Sequence, residues 1–160
     1  MLAANLAMGG IVYRYQNRVE DALVDGDIRF NRPFLFGVLA LVSQSSDKRR
    51  FALSEAEELL RGFSVSHNHL LFYPAAMETC LEMEEWDEMD KYGRALEQYT
   101  IAEPLPLTNL LISRGRVLAA FGRGDRTDTT RRELERLLDE VDRASQVCAR
   151  RAIVRALSSV

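Results

Sequence analysis

The sequence predicts an all-α protein built from antiparallel helix pairs that stack on one another. Three observations carry this prediction. Apolar residues recur at helical spacing along most of the 160 residues, short Gly, Pro or polar segments punctuate them, and no convincing stretch alternates apolar with polar as a half-buried strand would. The pattern is clearest from His67 to Pro104. There Leu70, Phe72, Tyr73, Met77, Cys80, Leu81 and Met83 mark a first helix, and Trp86-Asp87-Glu88 opens a second that runs through Met89, Tyr92, Leu96 and Tyr99 before Glu103-Pro104 stops it. A single hairpin of this length cannot cover its own apolar face, so similar hairpins are expected on either side.

The remaining elements follow in order. Leu2 to Tyr15 reads as a helix, with Gly9 and Gly10 placed for close approach of a neighbour. Gln16-Asn17-Arg18 reads as a polar break before a shorter helix through Val19, Ala22 and Leu23, and Asp25-Gly26-Asp27 ends or deforms it. Phe30 to Ser43, with Pro33 in its first turn and Phe34-Leu35-Phe36-Gly37-Val38-Leu39 behind it, is expected to be the most buried helix. Its partner begins at Arg49, after a Ser45-Ser46-Asp47 turn, or at Ser54, where Ser54-Glu55-Ala56-Glu57 has capping-box spacing; either start turns Leu59, Leu60 and Phe63 inward. Pro74 predicts a kink or a helix start in the central hairpin. Leu107 to Phe121 is a helix closed by Gly122-Arg123-Gly124-Asp125. After a cap at Asp128 or Thr129 an apolar stripe runs through Leu134, Leu137, Leu138, Val141 and Ala144 toward Cys148, Ala152 and Leu157, as one helix or as two broken near Ser145.

Composition bounds the function. An apolar fraction of 47% with 28% charged residues is that of a folded chain, and 160 residues suit one continuous unit spanning positions 1–160, whether whole or part of a larger protein. A net charge of -3 gives no general attraction to nucleic acid or to an anionic membrane. The nine apolar residues from Phe34 to Val42 are too few to cross a bilayer. No basic region precedes an apolar run at the N-terminus, and Cys80 and Cys148 read as two reduced thiols on apolar helix faces, so a cytoplasmic setting is expected.

The helix pairs share a grammar at a spacing of roughly 30 to 41 residues. Gly10, Tyr13, Asn17 and Glu20-Asp21-Ala22-Leu23 fall at intervals that resemble a tetratricopeptide repeat, as do Leu111, Gly115, Leu118 and Gly122, together with Trp86-Asp87-Glu88 and Pro104. Met77 and Met89 stand where small residues are usual, and Glu84-Glu85 replace the glycine turn, so the array is degenerate. The run from His67-Asn68-His69 to Pro104-Leu105-Pro106, followed by Ser113-Arg114-Gly115-Arg116, also resembles the C-terminal helical repeats of large bacterial proteins carrying a class III adenylate/guanylate cyclase domain. The tetratricopeptide resemblance implies a right-handed α-α superhelix of about four pairs whose concave face binds a peptide or a partner domain. The cyclase resemblance implies a regulatory part of a signalling protein, with no catalytic residue of the parent in this chain. By analogy with the repeat geometry, Ile11, Val38, Glu78 and Arg116 face the groove, and Arg14, Glu82 and Ala119 lie near it; the protein-binding residues are accordingly Arg14, Glu78, Glu82 and Arg116.

No motif reaches a reaction mechanism. His67 and His69 are two apart and point away from one another on a helix, so no metal site is expected. Asp25-Gly26-Asp27 lacks the further oxygen ligands of a calcium loop, and the glycine pairs lack the lysine and strand of a phosphate loop. Seven carboxylates lie between Glu78 and Asp90, read as a solvated rim or as a docking surface for a basic partner. Arg114, Arg116, Arg123, Arg126, Arg131 and Arg132 are interleaved with Asp125, Asp128, Glu133 and Glu135, with no aromatic residue stacked between them, which reads as a mixed salt-bridged face or a protein-binding surface and not as a nucleic-acid surface. The expected function is non-enzymatic interaction with a protein or peptide, with no cofactor. The alternatives are a self-association module forming a homo-oligomer and a helical enzyme, which would need a deep polar pocket.

Overall fold

The computed structural model describes residues 13–24, 30–62 and 65–159, and of Arg14 and its two neighbours Tyr13 and Tyr15 the backbone alone. Among the described residues there are eight helices and no strand: α1 (Tyr13–Val24), α2 (Arg32–Val42), α3 (Ser46–Arg61), α4 (Ser66–Met83), α5 (Trp86–Thr100), α6 (Pro106–Gly122), α7 (Asp128–Arg143) and α8 (Val147–Leu157). The chain is all-α. It divides into two compact units, Met1–Thr79 and Cys80–Val160.

In the first unit α2 packs on both α1 and α3. Pro33 sits in the first turn of α2, where its missing N–H leaves no bond unmade, and Phe36 to Val42 are all buried. Gly37 admits Phe72 and Ala75 of α4: a Cβ there would stand 3.2 Å from the Phe72 ring. Ser43 closes α2 by donating its hydroxyl to the Leu39 carbonyl at 2.6 Å. Asn31 makes no capping bond of its own; its Oδ1 lies 2.7 Å from His67 Nε2, while Asn68 Nδ2 donates to the Phe30 carbonyl at 2.6 Å. These contacts join the start of α2 to the start of α4.

Several sequence expectations need correction here. Gln16-Asn17-Arg18 do not break the chain. Three polar residues fill less than one helical turn, and Gln16 Nε2 donates to Glu20 Oε1 at 2.9 Å along the outer face while Val19 is buried. α3 starts at Ser46, earlier than Arg49 or Ser54, because the Ser45 hydroxyl accepts from the Lys48 N–H and caps it. Of the two readings of Pro74 the helix start is excluded, since it lies inside α4, which begins eight residues before it and runs on past it. The cap of α7 is Thr127, whose hydroxyl accepts from the Thr130 N–H, and not Asp128 or Thr129. The helix predicted over Leu2 to Tyr15 falls almost wholly outside the described residues, as do Ile11, Asp25-Gly26-Asp27 and Phe63.

In the second unit α5 packs on α6, α6 on α7, and α7 on α8, and α6 also reaches α8 directly. The connections are short, Ile101 to Leu105, Arg123 to Thr127 and Ala144 to Gln146, so successive helices run antiparallel. Their shared core is Met89, Leu96, Leu110, Leu118, Leu134, Leu137, Val141 and Ile153. The stripe left open as one helix or two is two, broken at Ser145.

Three helices end in the same way. At Glu84, Gly124 and Ser145 the backbone turns left-handed, with φ of 58°, 100° and 54°. In each case the following N–H reaches back five residues: Glu85 to the Cys80 carbonyl, Asp125 to Ala120 and Gln146 to Val141. The left-handed residue's own N–H bonds to Leu81, Phe121 or Asp142. This pairing satisfies carbonyls that the helix leaves open, and glycine is its least strained occupant. Only one of the three positions has glycine.

Candidate functional site

The four residues expected to bind a partner fall in different places. Arg14 lies on α1, and its backbone alone is described. Glu78 is half-buried on the part of α4 that belongs to the first unit, whereas Glu82 is exposed on the part that belongs to the second. Arg116 is exposed on α6 and already engaged, with Nη2 2.5 Å from Glu97 Oε2 on α5. That guanidinium holds the Glu97 carboxyl below its usual range. Two further groove positions are not surface at all. Val38 is only 2% exposed and Ala119 is fully buried, because both lie on the core stripe of their helices.

The arginine run divides sharply by environment. Arg114 belongs to the interior, at 1% exposure, and its Nε donates to the Ala149 carbonyl of α8 at 2.8 Å. It occupies a stripe position, four residues after Leu110 and four before Leu118, both buried. It therefore ties α6 to α8 and does not present charge to a partner. Arg123, at the end of α6, forks to Asp87 and Asp90 at the start of α5, each at 2.7 Å. The Trp86 indole lies against Gly122 beside this fork, so close that a Cβ on Gly122 would stand 2.4 Å from ring atoms. Arg126 folds over the Phe121 ring, with Cζ 3.4 Å from its centroid, and donates to the Phe121 carbonyl. Arg131 and Arg132 are exposed on α7.

The acidic rim is likewise engaged in part. Asp87 and Asp90 hold Arg123, Glu88 pairs with Lys91 at 2.8 Å, and Asp87 and Glu88 lie in the first turn of α5, where carboxylates favour the helix N-terminus. Asp125 accepts from the Thr127 N–H at 3.0 Å and the Thr130 hydroxyl at 2.8 Å, which lowers its pKa and fixes the start of α7. In the first unit His69 is partly buried beside Tyr73, and desolvation lowers its pKa. His67 is turned away toward Asn31. Cys80 is buried and Cys148 half-buried.

Among the described residues no group of three or more His, Cys, Asp and Glu could hold a metal ion, and no helix is long and apolar enough to cross a membrane. The feature that sequence reasoning missed is the interior Arg114; the apolar stripe running through Leu110 and Leu118 could have placed it inside. Comparison of the chain with protein-family models, with curated proteins and with solved structures returns no match.

Proposed function

We propose that this chain is a non-enzymatic, cytoplasmic interaction module of the tetratricopeptide type, in which stacked helix pairs hold a peptide or a partner helix. The observation that supports this reading most is the packing order of the second unit: α6 touches its successor α7 and also the next helix, α8. Serial hairpins in which each first helix meets the next first helix have this contact pattern. Their working part is surface carried on rigid helices, and an extended ligand lies across the exposed positions of the first helices.

On this reading Arg116 and Glu82 are contact residues of the second unit, with Arg14 and Glu78 in the same role on the first. The Arg116–Glu97 pair is about half exposed on both sides, so it contributes little to folding and is readily exchanged for a ligand carboxylate. A peptide-display selection against the full chain tests this. Peptides recovered should carry an acidic residue, and Arg116→Glu should weaken them by about tenfold or more while the helical circular dichroism stays unchanged. Peptides indifferent to Arg116→Glu, Glu82→Arg and Glu78→Arg alike would end the reading.

A further inference from the structure

The large apolar side chains exposed on the second unit are not scattered. Among the described residues they are Tyr99, Ile101, Leu107 and Val147, with Ile101 66% and Val147 77% exposed. Tyr99 and Leu107 flank the α5–α6 connection, Ile101 begins it, and Val147 begins α8 after the α7–α8 connection. Because successive helices run antiparallel, these two connections lie at the same end of the unit. The opposite end, with the α4–α5 and α6–α7 connections, has no exposed large apolar residue among those described.

The two connections also carry opposite charge. Residues 99–109 contain Glu103 and no basic residue, a formal charge of -1. Residues 142–151 contain Arg143, Arg150 and Arg151 against Asp142, a formal charge of +2. An edge with an acidic half and a basic half, each around an apolar centre, is complementary to itself under a two-fold rotation. That rotation sets each acidic half against the basic half of another copy. An anionic bilayer would meet the acidic half with repulsion and gain nothing from it.

We propose that this edge is a homodimer interface, in which Ile101 and Leu107 of one copy pack beside Val147 of the second, with Glu103 facing Arg143 across the contact. The surface lies at an end of the helices, apart from the positions assigned above to a ligand, so the two readings stand or fall separately. Two turns per copy make a small interface, and a dissociation constant on the order of 10–100 µM is expected.

Sedimentation velocity on the full chain from micromolar to near-millimolar concentration tests the proposal. A monomer–dimer equilibrium should appear, and Ile101→Asp or Val147→Asp should abolish it. Glu103→Arg and Arg143→Glu should each weaken it by about tenfold, and the double reversal should restore it. Circular dichroism melts of each variant separate lost association from lost folding. A monomer at every concentration, a dimer indifferent to all four substitutions, or a double reversal that fails to recover association would overturn the proposal. So would a chain that stays monomeric yet binds phosphatidylglycerol vesicles through Ile101.

Discussion

At the scale of single residues, the clearest feature is the repeated left-handed helix ending. Gly124 adopts it freely, whereas Glu84 and Ser145 hold a side chain in a region where the Cβ crowds the backbone, at a cost of about 1 kcal/mol each. Both persist because the reaching-back bonds of Glu85 and Gln146 close the helix and set the direction of the next. Glu84→Gly should therefore raise the unfolding free energy by about 0.5–1 kcal/mol, with Ser145→Gly similar, measured as a shift of the urea midpoint at constant slope. No change in midpoint would mean that the greater freedom of glycine in the unfolded chain offsets the relieved strain. Neither ending was legible as such. The absence of glycine at Glu84-Glu85 was visible, but the backbone angle that a glutamate would accept there was not, because tertiary packing overrides a local preference of this size.

At the scale of elements, helix existence was largely readable and helix limits less so. The α2, α4, α5 and α6 segments announce themselves through apolar spacing and through Pro33, Pro104 and Pro106. The false break at Gln16-Asn17-Arg18 and the false start at Ser54 share one cause: polar residues on an outer helical face imitate caps until the true partners of the terminal N–H groups are known. Arg114 is the converse case, a charged residue that composition assigns to the surface and periodicity assigns to the interior. Its guanidinium spans from α6 to the Ala149 carbonyl, and removing it leaves both a cavity and a lost charged donor at that contact. Arg114→Ala should destabilise the chain by about 3 kcal/mol. Hydrogen exchange should show protection lost in α8 before α5. Equal loss in both helices would mean that Arg114 supports the core of the unit and not the seat of α8.

At the scale of the whole molecule, the electrostatic groups respond to acid in two separate windows. The lowered pKa of His69 means that the folded chain resists protonating a ring that the unfolded chain protonates near 6.5. Stability is then complete above that value and falls as pH drops below it, since the unfolded state takes up the proton first. Glu20, Glu97, Glu133 and Asp125 have lowered pKa values, the first three because cationic or amide partners stabilise the carboxylates and the last because Thr127 and Thr130 donate to it. Their contribution is present above the usual carboxylate range and is lost only when pH falls through it, toward 4 and below. A thermal-melt series from pH 8 to pH 3 should thus fall in two stages, a first as pH drops below about 6.5 and a second below about 4.5. His69→Gln should remove the first stage and leave the second, whereas Glu97→Gln should reduce only the second. A first stage that survives His69→Gln would show that another group, and not the partly buried imidazole beside Tyr73, controls the response near neutrality.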